Sequence, residues 1–347
     1  MTRPLTTIDQ LVDAKLISAE QVDALLPVAE RYAVSVTPAL TGLIVAGDPA
    51  DPVARQFVPS SDELNTTSEE RADPIGDDVH SPVPGVVHRY RDRALLKIVS
   101  VCPVYCRFCF RREMVGPGRE NALSKEALER ALAYFSEHPE IREVILTGGD
   151  PFVLSARRAA DLTRRLAAIP HVRTLRWHTR VPVVEPERVT PEFAQALKAD
   201  GSETVVAIHA NHPRELTDAA RAACLRLRDA GIRLLSQSVL LKGVNDDVAT
   251  LAALLRSFEE TRIAPYYLHH PDLAPGTARF RLAIDEGRAL MRQLRARVPQ
   301  ARLPKYVLDL PGGHGKVALE SDDAEPVDGI TWRIRDPKGR WHRYPPR

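Results

Sequence analysis

Apolar and polar positions along the chain fall into three textures. From residue 95 to 310, short apolar runs alternate with amphipathic stretches. The apolar runs are LLKIVSV (95–101), EVILTG (143–148), TLRWHT (174–179), TVVAIHA (204–210), LLSQSVLL (234–241) and PYYLHH (265–270), with a further run at 305–310. The stretches between them, 124–138, 156–169, 191–199, 218–230, 248–261 and 284–298, carry apolar residues at helical spacing. Strands alternating with helices predict βαβ units and a parallel sheet. Six units in succession, with no order switch and no dinucleotide fingerprint, predict an α/β chain built as a partial (β/α)6 TIM-like barrel. An N-terminal helical segment and short C-terminal strands flank it.

The first part reads differently. Helices are predicted over 7–15, 18–33 and 37–45, the second opened by Ser18 and Gln21 in the manner of a capping box. A Pro- and Asp-rich stretch follows, residues 47–84. Its composition fits a disordered linker, but Phe57, Val58 and Leu64 punctuate it and favour an ordered arm wrapped on the larger body. The tail, 329–346, alternates like a hairpin around residues 336–339. The expected division is 1–84 for the helices and arm, 85–310 for the barrel, and 311–347 for a Gly-rich loop and the hairpin.

Composition narrows the class. The 347 residues are 44% hydrophobic and 27% charged, with a formal net charge of +2. No basic excess argues for nucleic acid. No N-terminal apolar region and no long apolar run argue for a membrane, so a cytoplasmic protein is expected. Three of the four cysteines fall within eight residues, which suits metal binding in a reducing compartment rather than a disulfide framework.

That cluster is Cys102, Cys106 and Cys109, a C-x3-C-x2-C loop after the first run, with Phe108 before the third cysteine. Three thiolates can hold three irons of a [4Fe–4S] cluster and leave the fourth open. An open iron can chelate the amino and carboxylate groups of S-adenosylmethionine, whose reductive cleavage gives a 5′-deoxyadenosyl radical. The competing reading, a zinc knuckle, needs a fourth ligand such as His88 or a barrel histidine. One unit later comes TGGDP, where Thr147, Gly148, Gly149 and Asp150 are candidates to bind the methionine moiety; taken alone, GGD is also a common turn. In parallel barrels chemistry sits at the carboxyl ends of the strands. His178, His209, His212, His269 and His270 crowd that predicted face as hydrogen-bonding groups, and Cys224 reads as a small buried apolar residue.

Together these residues resemble the lysine 2,3-aminomutase family of the radical S-adenosylmethionine superfamily. The likeness runs from about residue 6 to 319 through SPVPGVVHRYRDRALL, CPVYCRFCFRR, EVILTGGDP, HTRVPVVEPERVT, IHANHPREL, QSVLLKGVNDD, PYYLHHPD and DLPGGHGK. The resemblance implies pyridoxal 5′-phosphate (PLP) on Lys316, with Gly312, Gly313 and Gly315 giving that lysine freedom to swing. A Walker A loop is ruled out, because Leu310 and Val317 stand where it needs Gly and Ser or Thr. The resemblance also implies Arg111 for the substrate α-carboxylate, Asp272 and Asp309 for a side-chain ammonium, and Arg89, Tyr90 and Arg93 around PLP. The implied activity interconverts L-lysine and β-lysine by 1,2-amino migration. Alternatives are arginine or ornithine as substrate, a supply of β-lysine for elongation factor P modification, or a cluster protein acting only in electron transfer or regulation. A reductant such as flavodoxin or ferredoxin is implied as a partner, and a homo-oligomer is left open. Clostridial-type members bear cysteines in C-terminal segments that bind zinc between subunits; this chain lacks them, so no zinc is expected there.

Overall fold

Side chains that the sequence places just ahead of the amphipathic stretches cap the helices they open. The computed structural model describes residues 3–115, 121–328 and 330–345. In it Ser124, Ser155, Thr190, Thr217 and Asp247 accept hydrogen bonds from the third backbone N–H of helices Lys125–Glu137, Ala156–Ala167, Pro191–Ala196, Asp218–Asp229 and Val248–Glu260. Each cap satisfies a donor that the first turn leaves without a partner. The sixth helix, Ile284–Arg295, is held by Glu286, which accepts the Ala283 N–H at 2.7 Å.

Between the helices run the strands. They are β1 (Val86–Tyr90), β2 (Arg93–Val99), β3 (Glu143–Gly148), β4 (Thr174–Thr179), β5 (Glu203–His209), β6 (Arg233–Val239), β7 (Ala264–His269), β8 (Lys305–Leu310) and β9 (Gly315–Ala318). They form one nine-stranded sheet in chain order. β2 to β8 are parallel, each to the next, and β1 and β9 pair antiparallel on the two flanks. The six βα units of the expected partial barrel are present, and the sixth delivers the seventh parallel strand. Leu96, Val144, Leu146, Leu175, Trp177, Val206 and Ile208 fill the layer between sheet and helices, all fully buried, while the alternate positions Ile145, Thr147, Arg176, His178 and His209 face inward. Burial on both faces is what near-continuous apolar runs provide in parallel sheets.

The two flanking strands meet through side chains. Tyr90 Oη on β1 accepts the Lys316 N–H on β9 at 2.8 Å, and Arg89 lies 3.8 Å from Asp309 on β8. β1 and β9 have no counterpart among the predicted strands. β9 changes the picture of Lys316: it lies on a strand directly across from Asp309 rather than in a loose loop. Gly312 and Gly313 supply the positive φ of the turn that precedes it.

Residues 47–84, expected as an arm, hold short helical turns; Phe57 among them is fully buried, whereas Leu64 is 39% exposed. The anchoring is polar. Glu63 in the arm accepts from Arg107 Nε at 2.9 Å and also from Arg112, so the arm grips the cysteine loop. Burial would raise the Glu63 carboxyl, but Arg107, Arg112 and Arg279 outweigh it and keep the group ionised. The helix expected over 37–45 is only Pro38–Thr41, ending at Gly42, and that expected over 18–33 is a short turn followed by Val22–Arg31. At the other end β10 (Ala324–Pro326), β11 (Trp332–Arg335) and β12 (Trp341–Tyr344) form a separate three-stranded sheet. Its β11–β12 hairpin turns where the alternation predicts; residues 329 and 346 of the predicted span lie outside the described residues.

Candidate active site

The carboxyl ends of the parallel strands surround a cavity of about 410 Å³, within the range of small-molecule sites. Its wall takes residues from the cysteine loop, the ends of β3 to β8, and the flanking strands β1 and β9. No helix in the described residues is long and apolar enough to cross a membrane.

Cys102, Cys106 and Cys109 all line this cavity. Their loop is fixed from outside: Tyr105 N–H donates to Ser35 O at 3.0 Å and Arg107 N–H to Gln56 O at 2.8 Å. Burial pushes all three thiols upward, Cys109 to about 11. Bare thiols here hold their protons, and only a bound cationic centre converts them to thiolates. Arg180 on the loop after β4 donates to Cys106 Sγ at 3.1 Å, the kind of bond that tunes a cluster sulfur.

The TGGDP segment is built against that loop. Gly149 N–H donates to Val99 O at 2.6 Å and Asp150 N–H to Val101 O at 3.0 Å. A Cβ on Gly148 would lie 2.3 Å from Val99 O, and one on Gly149 would lie 2.3 Å from Val101 O. The adjacent glycines are therefore required by the neighbouring backbone, besides facing the cavity. Asp150 is fully engaged: it accepts from Phe152 N–H, Thr179 Oγ1, Arg180 N–H and Val181 N–H, at 2.7–3.2 Å. Its carboxylate joins the loops after β3 and β4. Thr147 accepts from Arg111 at 3.2 Å.

At the far side stand the groups that the resemblance implied for PLP and substrate. Lys316 Nζ forms an ion pair with Asp309 and sits 5.3 Å from the centre of the Tyr267 ring. Burial would raise the Asp309 carboxyl, but Lys316 and His269 outweigh it, and the group lies far below the usual carboxylate range. Asp272 is the opposite case. It lines the cavity, its Oδ1 is buried with no hydrogen-bond partner among the described residues, and burial together with the Asp309 charge pushes its carboxyl well up. Arg111 gives Nε and Nη2 to Asp77 Oδ2 and Nη1 to Thr147. Arg89 gives Nη2 to Asp77 Oδ1 at 3.2 Å and to Ile75 O at 2.8 Å. Arg93 lies over the Tyr90 ring at 5.3 Å and pairs with Asp92 at the rim.

The histidines separate. His178, His209 and His269 line the cavity, each with a buried Nε2 that has no partner among the described residues. Burial holds all three below their ordinary value, so they are neutral hydrogen-bonding groups at neutral pH. His212 instead caps the Pro213–Glu215 turn, and His270 bonds the Tyr306 hydroxyl at 2.8 Å outside the cavity. Cys224 is fully buried on its helix. Sequence reasoning passed over Asp77 and Arg180. Asp77 sits in the Asp-rich arm among similar residues and carried no signal, while Arg180 lay inside a matching stretch without a role.

Residues 96–255 match the Radical SAM superfamily. The L-lysine 2,3-aminomutase of Clostridium subterminale is 36% identical over 315 residues, 91% of this chain and 75% of that protein. The L-lysine 2,3-aminomutase of Escherichia coli (strain K12) is 36% identical over 317 residues, 91% of this chain and 92% of that one. The glutamate 2,3-aminomutase of Clostridioides difficile (strain 630) is 31% identical over 319 residues, covering 92% and 75%.

Proposed function

The chain belongs to the lysine 2,3-aminomutase family of the radical S-adenosylmethionine enzymes, which are isomerases, and from that premise we propose that it interconverts L-lysine and β-lysine. Relatives act on lysine or on glutamate by name, so the choice rests on the cavity. The observation that carries it is Asp272, whose Oδ1 is buried without a hydrogen-bond partner among the described residues and whose carboxyl feels the charge of Asp309. A substrate ammonium supplies the missing counter-charge, whereas a second carboxylate would meet like charge in a low-dielectric site.

When bound, the cluster and S-adenosylmethionine supply the hydrogen-abstracting radical, and PLP supplies the conjugated system through which the nitrogen moves. The chain's own groups bind and orient. Cys102, Cys106 and Cys109 hold the cluster, and the Thr147–Asp150 turn faces the methionine moiety. Lys316 is the PLP anchor, oriented by its ion pair with Asp309. Arg89 and Tyr90 on β1 and Arg93 at the start of β2 form the PLP-facing wall. Arg111 commits three of its N–H donors to Asp77 and Thr147. Of five such donors, the remaining pair on its Nη atoms fits an α-carboxylate. The Lys316 N–H on β9 donates to Tyr90 on β1, and Arg89 on β1 reaches Asp309 on β8, so the two edges of the sheet are joined beside the cavity.

The test is an anaerobic assay of reconstituted protein with S-adenosylmethionine, PLP and a reductant of the flavodoxin or ferredoxin class. Lysine, arginine, ornithine and glutamate are compared under identical conditions. β-Lysine from lysine at the highest kcat/KM is expected, and preferred turnover of glutamate or absence of β-lysine refutes the proposal. Lys316→Ala is expected to lose the PLP absorption band while keeping its iron.

A further inference from the structure

Outside the cavity, one group among the described residues has the donor set and spacing of metal ligands. It consists of His314, Asp336 and His342, whose candidate ligand atoms all lie within 4.8 Å of one another. The three arrive from separate places. His314 is in the turn between β8 and β9, two residues before Lys316; Asp336 opens the β11–β12 turn; His342 is on β12 opposite Ile334.

The site is built. Asp336 is almost fully buried, and its Oδ1 accepts the N–H groups of Lys338 and Arg340 at 2.8 and 3.0 Å, which fixes the direction of the carboxylate. Its Oδ2 meets His342 Nε2 at 2.8 Å. The rings of His314 and His342 stack with centroids 4.0 Å apart and planes 26° from parallel. Two imidazole nitrogens beside a carboxylate oxygen whose direction is fixed offer the three donor atoms that metal ligation requires.

We propose that His314, Asp336 and His342 bind one divalent transition-metal ion, with Zn²⁺ the best match, and that the ion clips the C-terminal hairpin to the turn leading into Lys316. Two nitrogens and one oxygen with a fourth position open to water is a zinc-like set, and the imidazoles disfavour Mg²⁺ or Ca²⁺. Arg340 is the competing cation, with Nε and Nη2 each 3.1 Å from Asp336 Oδ2. Its side chain is 60% exposed and can turn to solvent when the ion enters. The clip adds to a contact already on the other side of the turn, His80 Nε2 to Gly313 O at 2.9 Å.

The experiment uses the full chain with its cluster and PLP loaded, so that the cysteines are occupied and do not take up zinc. Protein stripped with a chelating resin is dialysed against buffered Zn²⁺ at low micromolar free concentration, and zinc, iron and PLP per chain are measured. One zinc per chain is expected in the parent protein. Near zero is expected in His314→Gln and His342→Ala, with iron and PLP contents unchanged as the control for folding. Asp336→Asn is expected to weaken zinc at least tenfold. A parent protein that retains no zinc overturns the proposal. So does parent-level zinc in either folded histidine variant, which would mark the metal as adventitious. The proposed function stands or falls separately, on β-lysine formation.

Discussion

Replacing Asp272 with Asn separates substrate recognition from stability, because the two should move in opposite directions. A charge-assisted hydrogen bond contributes about 1.5–3 kcal/mol. Removing the charge also leaves the substrate ammonium with Asp309 alone, so the total loss is roughly 2–4 kcal/mol. At about 1.4 kcal/mol per tenfold, kcat/KM for lysine falls by roughly 30- to 1000-fold, largely through KM if the contact is made equally in ground and transition states. Stability responds with the other sign. The folded protein holds the Asp272 proton more tightly than the unfolded chain, where the carboxyl titrates near 3.8. Below that pH the group is protonated in both states and costs nothing. As pH rises past 3.8 and towards the raised folded value, stability is lost. An asparagine side chain does not titrate, so the Asp272→Asn variant escapes this loss. It should be more stable than the parent at neutral pH by about 1–3 kcal/mol, with the gap closing near pH 4. Lysine kinetics and unfolding midpoints between pH 4 and 8, in matched states of cofactor loading, measure both. A kcat/KM within threefold of the parent, or a midpoint that drops at neutral pH, would refute the argument.

Other perturbations follow from the same geometry. Asp77→Asn leaves Arg89 and Arg111 buried without their shared counter-ion, an expected destabilisation of about 3–5 kcal/mol with a raised KM for lysine. Burial alone would raise Asp77, but Arg111, Lys97 and Arg89 outweigh it and lower the carboxyl. Its stabilisation is present above 3.8 and lost as pH falls through the lowered value, so an acid-unfolding profile should lose part of that limb in the variant. Arg180→Gln removes the cation that donates to Cys106; redox titration followed by EPR should show the cluster potential lowered by about 60 mV, one tenfold for a one-electron couple. A Cβ at Gly149 would collide with the Val101 carbonyl, so Gly149→Ala should lower both iron content and unfolding midpoint.

The barrel was legible because its determinants are local. A period of apolar positions, a Ser, Thr or Asp cap ahead of five of the six helices named above and a short run for each strand act within a few residues. The predicted strands 143–148, 174–179 and 305–310 match their observed limits, and the others lie within two residues of them. β1 and β9 were missed, because flanking strands of four or five residues carry too few positions for a period. Lys316 was expected, from the family resemblance, in a Gly-rich loop that lets it swing. Pairing with β8, which puts it opposite Asp309, depends on a strand that the local pattern does not announce.

The candidate site divides in the same way. Sequence by itself determined that three thiols within eight residues share one loop and that TGGDP follows a strand, because chain connectivity keeps such groups together. Only the tertiary structure decided how the charges pair. Asp77 from the arm serves Arg89 and Arg111, Arg180 reaches Cys106, Lys316 takes Asp309, and Asp272 Oδ1 is left without a hydrogen-bond partner among the described residues. Those choices turn on distance and burial, since the strength of an ionic contact rises steeply as groups approach and water is excluded. Neither quantity is written in the spacing of residues along the chain.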